Sequence, residues 1–195
     1  MTASQSGALA LGALLALAPT PVVPYATGDA AAMSAIDASC AERTDRALGG
    51  TPKRFVSIYG SAADGRWAPD SPELSARVAR DPNIYSEVAQ AWFADGSLAT
   101  VAIAARSLDI AVDSSYCYRP GGTLARVIES SSGAQIRDNE TRYLDEGGNV
   151  VGSGSLLSFL FPRPGRTLSP DLRPAKPALY LTVRDLPFYA LLAGG

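Results

Sequence analysis

Three stretches of this chain repeat one small design: WFADGSL (Trp92 to Leu98), YRPGGTL (Tyr118 to Leu124) and LDEGGNV (Leu144 to Val150). Each sets a glycine (Gly96, Gly122 or Gly148) two residues before an aliphatic side chain, Leu98, Leu124 or Val150. Successive copies lie 26 residues apart. An aromatic precedes each turn: Trp92 with Phe93, then Tyr118, then Tyr143, the last displaced by one residue. A tight hairpin turn needs positive φ, which glycine supplies and Asp or Asn tolerates. The flanking aromatic and aliphatic side chains can pair across neighbouring strands. Strands of roughly eight residues with a turn at each end account for a 26-residue hairpin period. The pattern predicts a six-strand antiparallel meander between about Ser86 and Phe161.

The flanks agree. In YCY, Tyr116 and Tyr118 fall on one face of a strand and Cys117 on the other. SLATVAIAA is mostly apolar, as for a strand covered on both sides, whereas the connections RSLD and SSSGAQ are polar.

Outside the meander, residues 29–48 read as a helix, with Met33, Ile36, Cys40 and Ala47 on one stripe. Glu42, Arg43, Asp45 and Arg46 fall largely on the other side, and Gly49–Gly50 end it. Arg54 to Gly60 reads as a strand and Ala63 to Gly65 as a turn. Ser71-Pro72-Glu73 opens a second helix that Asp81-Pro82 stops. Five prolines in residues 161–177 exclude a helix interior or central strand and predict an extended strap. Residues 178–183 then resume as a strand, and Asp185 caps a last short helix. The expected fold is α+β: a meander of about three hairpins, one N-terminal helix on one face, and further short helices. Its plan is a signal peptide at 1–28, one domain at 29–161 carrying hairpin repeats at 86–161, the strap at 162–177, and a strand and helix of the same domain at 178–195.

The first 28 residues are an address. Residues 7–18 form an apolar run without charge, too short to span a bilayer and the right length for a signal-peptide core. Small residues follow, so cleavage is expected between about Pro19 and Met33. MTASQS lacks the usual positive start. Export to the periplasm or beyond permits a disulfide between the two cysteines, Cys40 and Cys117. Cys40 lies too far beyond the apolar run to be a lipid anchor.

The chain has no histidine. Ser-His-Asp and Cys-His catalysis are excluded, with zinc sites that need imidazole. A formal net charge of −2 gives no field that would attract nucleic acid. Of 17 basic residues, all but Lys53 and Lys176 are arginines, scattered along the chain and expected to be solvated or salt-bridged. No phosphate loop, nucleophile elbow or C-x-x-C occurs, and no cofactor or metal is expected. Asn139-Glu140-Thr141 matches a glycosylation acceptor, a tripeptide common by chance.

Two sets of residues remain as candidates. Trp92, Tyr116, Tyr118 and Tyr143 can line one sheet face and bind an apolar or sugar ligand, or serve as cross-strand core pairs. If Cys40 meets Cys117, the helix covers the Cys117 face and leaves Tyr116 and Tyr118 on the face a ligand can reach. Carboxylates can also run glycosidase chemistry without histidine; Glu129, Glu140, Asp145 and Glu146 are available, the last two better explained as turn residues. The leading expectation is an exported, non-enzymatic β-rich domain binding a small ligand or envelope component. The alternatives are a carboxylate-dependent hydrolase of envelope sugars and a module that pairs with a partner through a sheet edge.

Overall fold

Gly96, Gly122 and Gly148 all have positive φ, at 73°, 80° and 82°. The computed structural model in which they are seen describes residues 25–60, 63–80, 85–106, 110–133, 136–159 and 178–194. The apolar run at 7–18 and the strap at 162–177 lie outside these residues. The elements are β1 (Tyr25–Gly28), α1 (Ala30–Leu48), β2 (Lys53–Gly60), β3 (Ala63–Pro69), α2 (Pro72–Arg80), β4 (Tyr85–Ala94) and β5 (Ser97–Arg106). They continue with β6 (Ile110–Tyr118), β7 (Leu124–Gly133), β8 (Ile136–Leu144), β9 (Val150–Phe159), a 3₁₀ turn (Val183–Asp185) and α3 (Tyr189–Ala193). The strands make one antiparallel sheet in the order β1-β9-β8-β7-β6-β5-β4-β2-β3.

The three turns differ in build. Asp95 and Gly96 form a two-residue turn with φ of 51° and 73°, the paired positive values that a tightly twisted hairpin needs. The other two are longer, closing at Tyr118↔Leu124 and Leu144↔Val150. All three carry a register irregularity just before the turn, at Trp92/Phe93, Cys117/Tyr118 and Tyr143/Leu144. An extra residue at a bulge interrupts the strict alternation of side chains.

Ala63–Gly65, expected as a turn, lies inside β3. Gly65 does have a positive φ of 71°. It stands opposite a register shift between Ser57 and Tyr59 on β2, so its left-handed backbone serves an irregular ladder rather than a hairpin tip. Because β2 pairs with both β3 and β4 at one edge, and β1 pairs with β9 at the other, the six-strand meander is extended to a nine-stranded sheet.

Asp29 caps α1, accepting hydrogen bonds from the Ala31 and Ala32 amides at 2.9 and 3.1 Å. The helix crosses the face that carries Trp92, Thr100, Cys117, Arg126, Tyr143 and Gly152. Cys40 and Cys117 form a disulfide with Cα atoms 5.9 Å apart. At Gly152 any side chain would strike the helix, since a Cβ there would fall 2.4 Å from Met33 Sδ. Arg43 corrects the sequence reading. It does not face water but is buried beside Cys40 and Ala47. Three residues after Cys40, it shares the inward face, and it is tolerated there because it reaches buried carbonyls near the strand ends. Its Nε donates to the Tyr118 carbonyl at 3.0 Å, and its Nη2 to Ser97 Oγ and the Leu98 carbonyl at 3.0 and 3.3 Å. Arg119 behaves similarly, donating to the carbonyls of Leu124, Leu144 and Asp145.

The C-terminal segment covers the opposite face. Residues 178–183, expected as a strand, join the ladder only through a bridge between Thr182 and Thr123. Asp185 caps the 3₁₀ turn rather than α3, accepting from the Thr182 amide at 2.7 Å and hydroxyl at 3.0 Å. Phe188 is buried, stacked on Phe55 at 4.9 Å and tilted against Trp67 at 5.0 Å. Burying one such side chain contributes about 1.5–3 kcal/mol.

Candidate functional site

The four aromatic candidates do not share a face. Trp92 and Tyr143 stand on the α1 side, because the register runs Trp92↔Thr100↔Cys117↔Arg126↔Tyr143. Tyr116 and Tyr118 stand on the other. A one-residue shift in a strand reverses the face: Tyr143 is displaced by one residue relative to Tyr118, and Trp92, at the same offset from its glycine as Tyr118, is reversed by the shorter two-residue turn at Asp95 and Gly96. Trp92 packs with Ala47, Ala94 and Ala99 under the end of α1. The Tyr143 hydroxyl donates to Asp37 Oδ2 at 3.0 Å, and Asp37 also pairs with Arg126. Burial first, then Asp37, raises the Tyr143 pKa.

Tyr116 and Tyr118 do lie opposite the disulfide face, but the C-terminal segment is packed over them. They are 2% and 0% exposed, so a ligand reaches them only by displacing that cover. The Tyr180 ring lies 5.4 Å from that of Tyr116, and the Tyr118 hydroxyl donates to the Tyr180 carbonyl at 3.2 Å. Burial is the largest cause of their strongly raised pKa values.

The open space lies elsewhere. A groove of about 320 Å³ indents the α1 face beyond the helix, across the middle of β4, β5, β6 and β7. Its floor is Ala102, Ala104, Asp113 and Ser115, with Val88 and Gln90 on one side and Ile128 and Ser130 on the other. These residues align in two adjacent rows, Gln90↔Ala102↔Ser115↔Ile128 and Val88↔Ala104↔Asp113↔Ser130. Asp113 lines the groove and pairs with Arg106 at 2.6 Å, both partners about half-exposed. The signal was present in SLATVAIAA: alanines at 102 and 104 alternate with Val101 and Ile103, which face the core. Small residues on one face of a central strand leave a hollow unless a neighbour fills it.

The carboxylates divide. Asp145 is a turn residue, accepting from the Asn149 amide at 2.8 Å and side chain at 3.0 Å, which lowers its pKa. Glu146 is exposed in the same turn. Glu129 and Glu140 are directly opposite on β7 and β8. Arg142 Nε holds Glu140 at 2.7 Å. Glu129 is buried, with the Ser114 hydroxyl at 3.3 Å, and its pKa is raised, first by burial. Both carboxylates lie on the face away from the groove. Asn139, in the glycosylation-like tripeptide, sits in β8 with a strand on each side.

Among the described residues no group of three or more His, Cys, Asp or Glu could hold a metal ion, and no helix is long and apolar enough to cross a membrane. Comparison with protein-family models, curated proteins and solved structures finds no match.

Proposed function

We propose that this is an exported, non-enzymatic binding domain whose ligand lies in the groove over Ala102 and Ala104. The observation that carries the reading is the groove itself: a concave, mainly apolar site with a few polar groups, of the size a small molecule fills. A disulfide, and the absence of any membrane-crossing helix among the described residues, are compatible with export. The hydrolase reading is less supported, because Glu129 is buried and Glu140 is held by Arg142, both away from the hollow. We also read the 26-residue hairpin as one unit used three times to build the scaffold. Because Tyr25–Gly28 pairs with β9, a cleavage that retains β1 falls between Pro19 and Tyr25.

Native mass spectrometry of protein purified from its own cell envelope tests the binding reading. A retained small molecule is expected as added mass, and Ala104→Leu, which fills the groove, should lose it while the fold is kept. Wild-type protein with no added mass, and no response to any small molecule, would overturn the reading. N-terminal sequencing of exported protein tests the address: a start at Met1 or Thr2 would sink it.

A further inference from the structure

We propose that Tyr59, Tyr85, Tyr180 and Glu87 form a second binding site, for a quaternary ammonium group, on the sheet face opposite the groove. It stands apart from the groove and holds whether or not the groove takes a ligand.

The register places three of the four. Tyr59 stands directly opposite Tyr85, and Ser57 opposite Glu87. Alternation along β2 puts Ser57 and Tyr59 on the side of Phe55, which stacks on Phe188, so these side chains share the face that carries the C-terminal segment. The rings of Tyr59 and Tyr85 meet edge to face with centroids 5.2 Å apart. Gly65 seats the first of them, since any side chain there would strike the Tyr59 ring. Tyr180 enters from the C-terminal segment, tilted against Tyr116 and within electrostatic reach of Tyr59, Tyr85 and Glu87. Tyr116 and Tyr118 are buried under that segment, whereas Tyr59 and Tyr85, each 39% exposed, reach solvent at its margin.

The chemistry suits a cation. The face of an aromatic ring attracts positive charge, and Glu87 brings a carboxylate to the same place. Its Oε1 accepts from the Tyr85 hydroxyl at 3.1 Å, and among the described residues it forms no salt bridge. Burial first, then Glu87, pushes the Tyr85 pKa up to about 12, so the hydroxyl keeps its proton at neutral pH and goes on donating. Three rings and one carboxylate offer charge but few acceptors. An ammonium or guanidinium group entering there gives up hydrogen bonds to water that the site does not replace. A quaternary ammonium has no N–H to leave unsatisfied, and its methyl groups pack on the rings.

NMR titration of the full exported chain with choline and with tetramethylammonium tests the assignment. Both should shift amide signals around Tyr59, Tyr85 and Glu87. Both should bind at least about fivefold more tightly than ammonium, guanidinium or the uncharged tert-butyl analogue of choline. Tyr59→Leu and Tyr85→Leu should each weaken choline roughly two- to fivefold, and Glu87→Gln at least as much. Should a tyrosine variant fail to fold, Glu87→Gln removes the charge at a partly exposed position without changing bulk. Sedimentation with vesicles separates two sources of the same group. Binding to phosphatidylcholine but not phosphatidylglycerol vesicles supports the site with a lipid head as its ligand; choline binding without sedimentation supports it with a soluble one. Equal binding of the uncharged analogue overturns the cation. Choline shifts that survive all three substitutions overturn the location. No response to choline, tetramethylammonium or phosphatidylcholine overturns the site and leaves the groove untouched.

Discussion

The two covers of the sheet are built on different principles. On one face, α1 buries only Cys40, Arg43 and Ala47 among its 19 residues. It is held by a disulfide, by an arginine reaching sheet carbonyls, and by Asp37 shared between Arg126 and Tyr143. On the other face the C-terminal segment has no crosslink. It is held by Leu186 and Phe188 sunk among Phe55, Trp67, Tyr116 and Tyr118, and by backbone bonds from Leu124 to Leu181 and from Val183 to Gly122. A helix with small inward residues buries little apolar area and needs specific bonds to stay in place. A segment rich in large apolar side chains does not. The same economy of side chains along the α1 face leaves the groove open beyond the helix.

The largest expected effect breaks the first cover. Replacing Cys40 and Cys117 together by alanine removes a crosslink closing 77 residues, and loop-closure entropy puts the loss at about 4–5 kcal/mol. Hydrogen exchange should speed in α1 well before it does in β6. Uniform loss of protection would mean that the helix is not separately anchored.

Phe188→Ala breaks the second cover. A cavity between Phe55 and Trp67 should cost about 3–5 kcal/mol in urea denaturation and expose Tyr118 to solvent. An unchanged midpoint would deny the segment its role as core.

Arg43→Met keeps the bulk but leaves the carbonyls of Tyr118 and Leu98 without their donor, at an expected cost of about 1–3 kcal/mol. A neutral result in the same denaturation assay would show that packing, not polar bonding, holds α1.

A pair of glycine substitutions sharpens the contrast between tips. Gly96 and Gly122 both have positive φ, so alanine at either should cost about 1 kcal/mol. A Cβ at Gly96 meets nothing within 4 Å, whereas at Gly122 it comes within 3.3 Å of Val183 in the C-terminal cover. Gly122→Ala should therefore cost more than Gly96→Ala; equal midpoint shifts would mean the cover yields freely.

The smallest effect is a dependence on pH. The raised pKa of Glu129 means that the native state holds its proton more tightly than the unfolded chain. Its contribution to stability is full below the ordinary carboxylate value near 4.5 and is lost as pH rises through the raised native value. Glu129→Gln should therefore raise stability at pH 7 and flatten the difference between pH 4.5 and 7. Parallel pH curves for the two proteins would show that burial of this carboxylate carries no penalty.

The antiparallel meander, the extent of α1 and the side of the strand taken by Cys117 were legible because each depends on local chemistry. Gly96, Gly122 and Gly148 mark positive φ, Gly49 and Gly50 mark the end of α1, and the alternation in YCY turns Cys117 away from its neighbouring tyrosines. Arg43 was misplaced because a helical stripe chosen by hydrophobicity passes over a guanidinium that only distant carbonyls can satisfy. Gly65 was misread because positive φ serves bulges as well as turns.

The sequence alone determined where the three hairpins of the meander turn, how side chains alternate within a strand such as YCY, and which histidine-dependent chemistries are closed to this chain. Only the tertiary structure decided that residues 178–193 lie over Tyr116 and Tyr118, and that the groove is left beyond α1 instead. Turns and alternation are set by neighbours in the chain. Which segment covers which face is set by contacts across 60 or more residues, such as Tyr118 to Tyr180, and no local pattern records them.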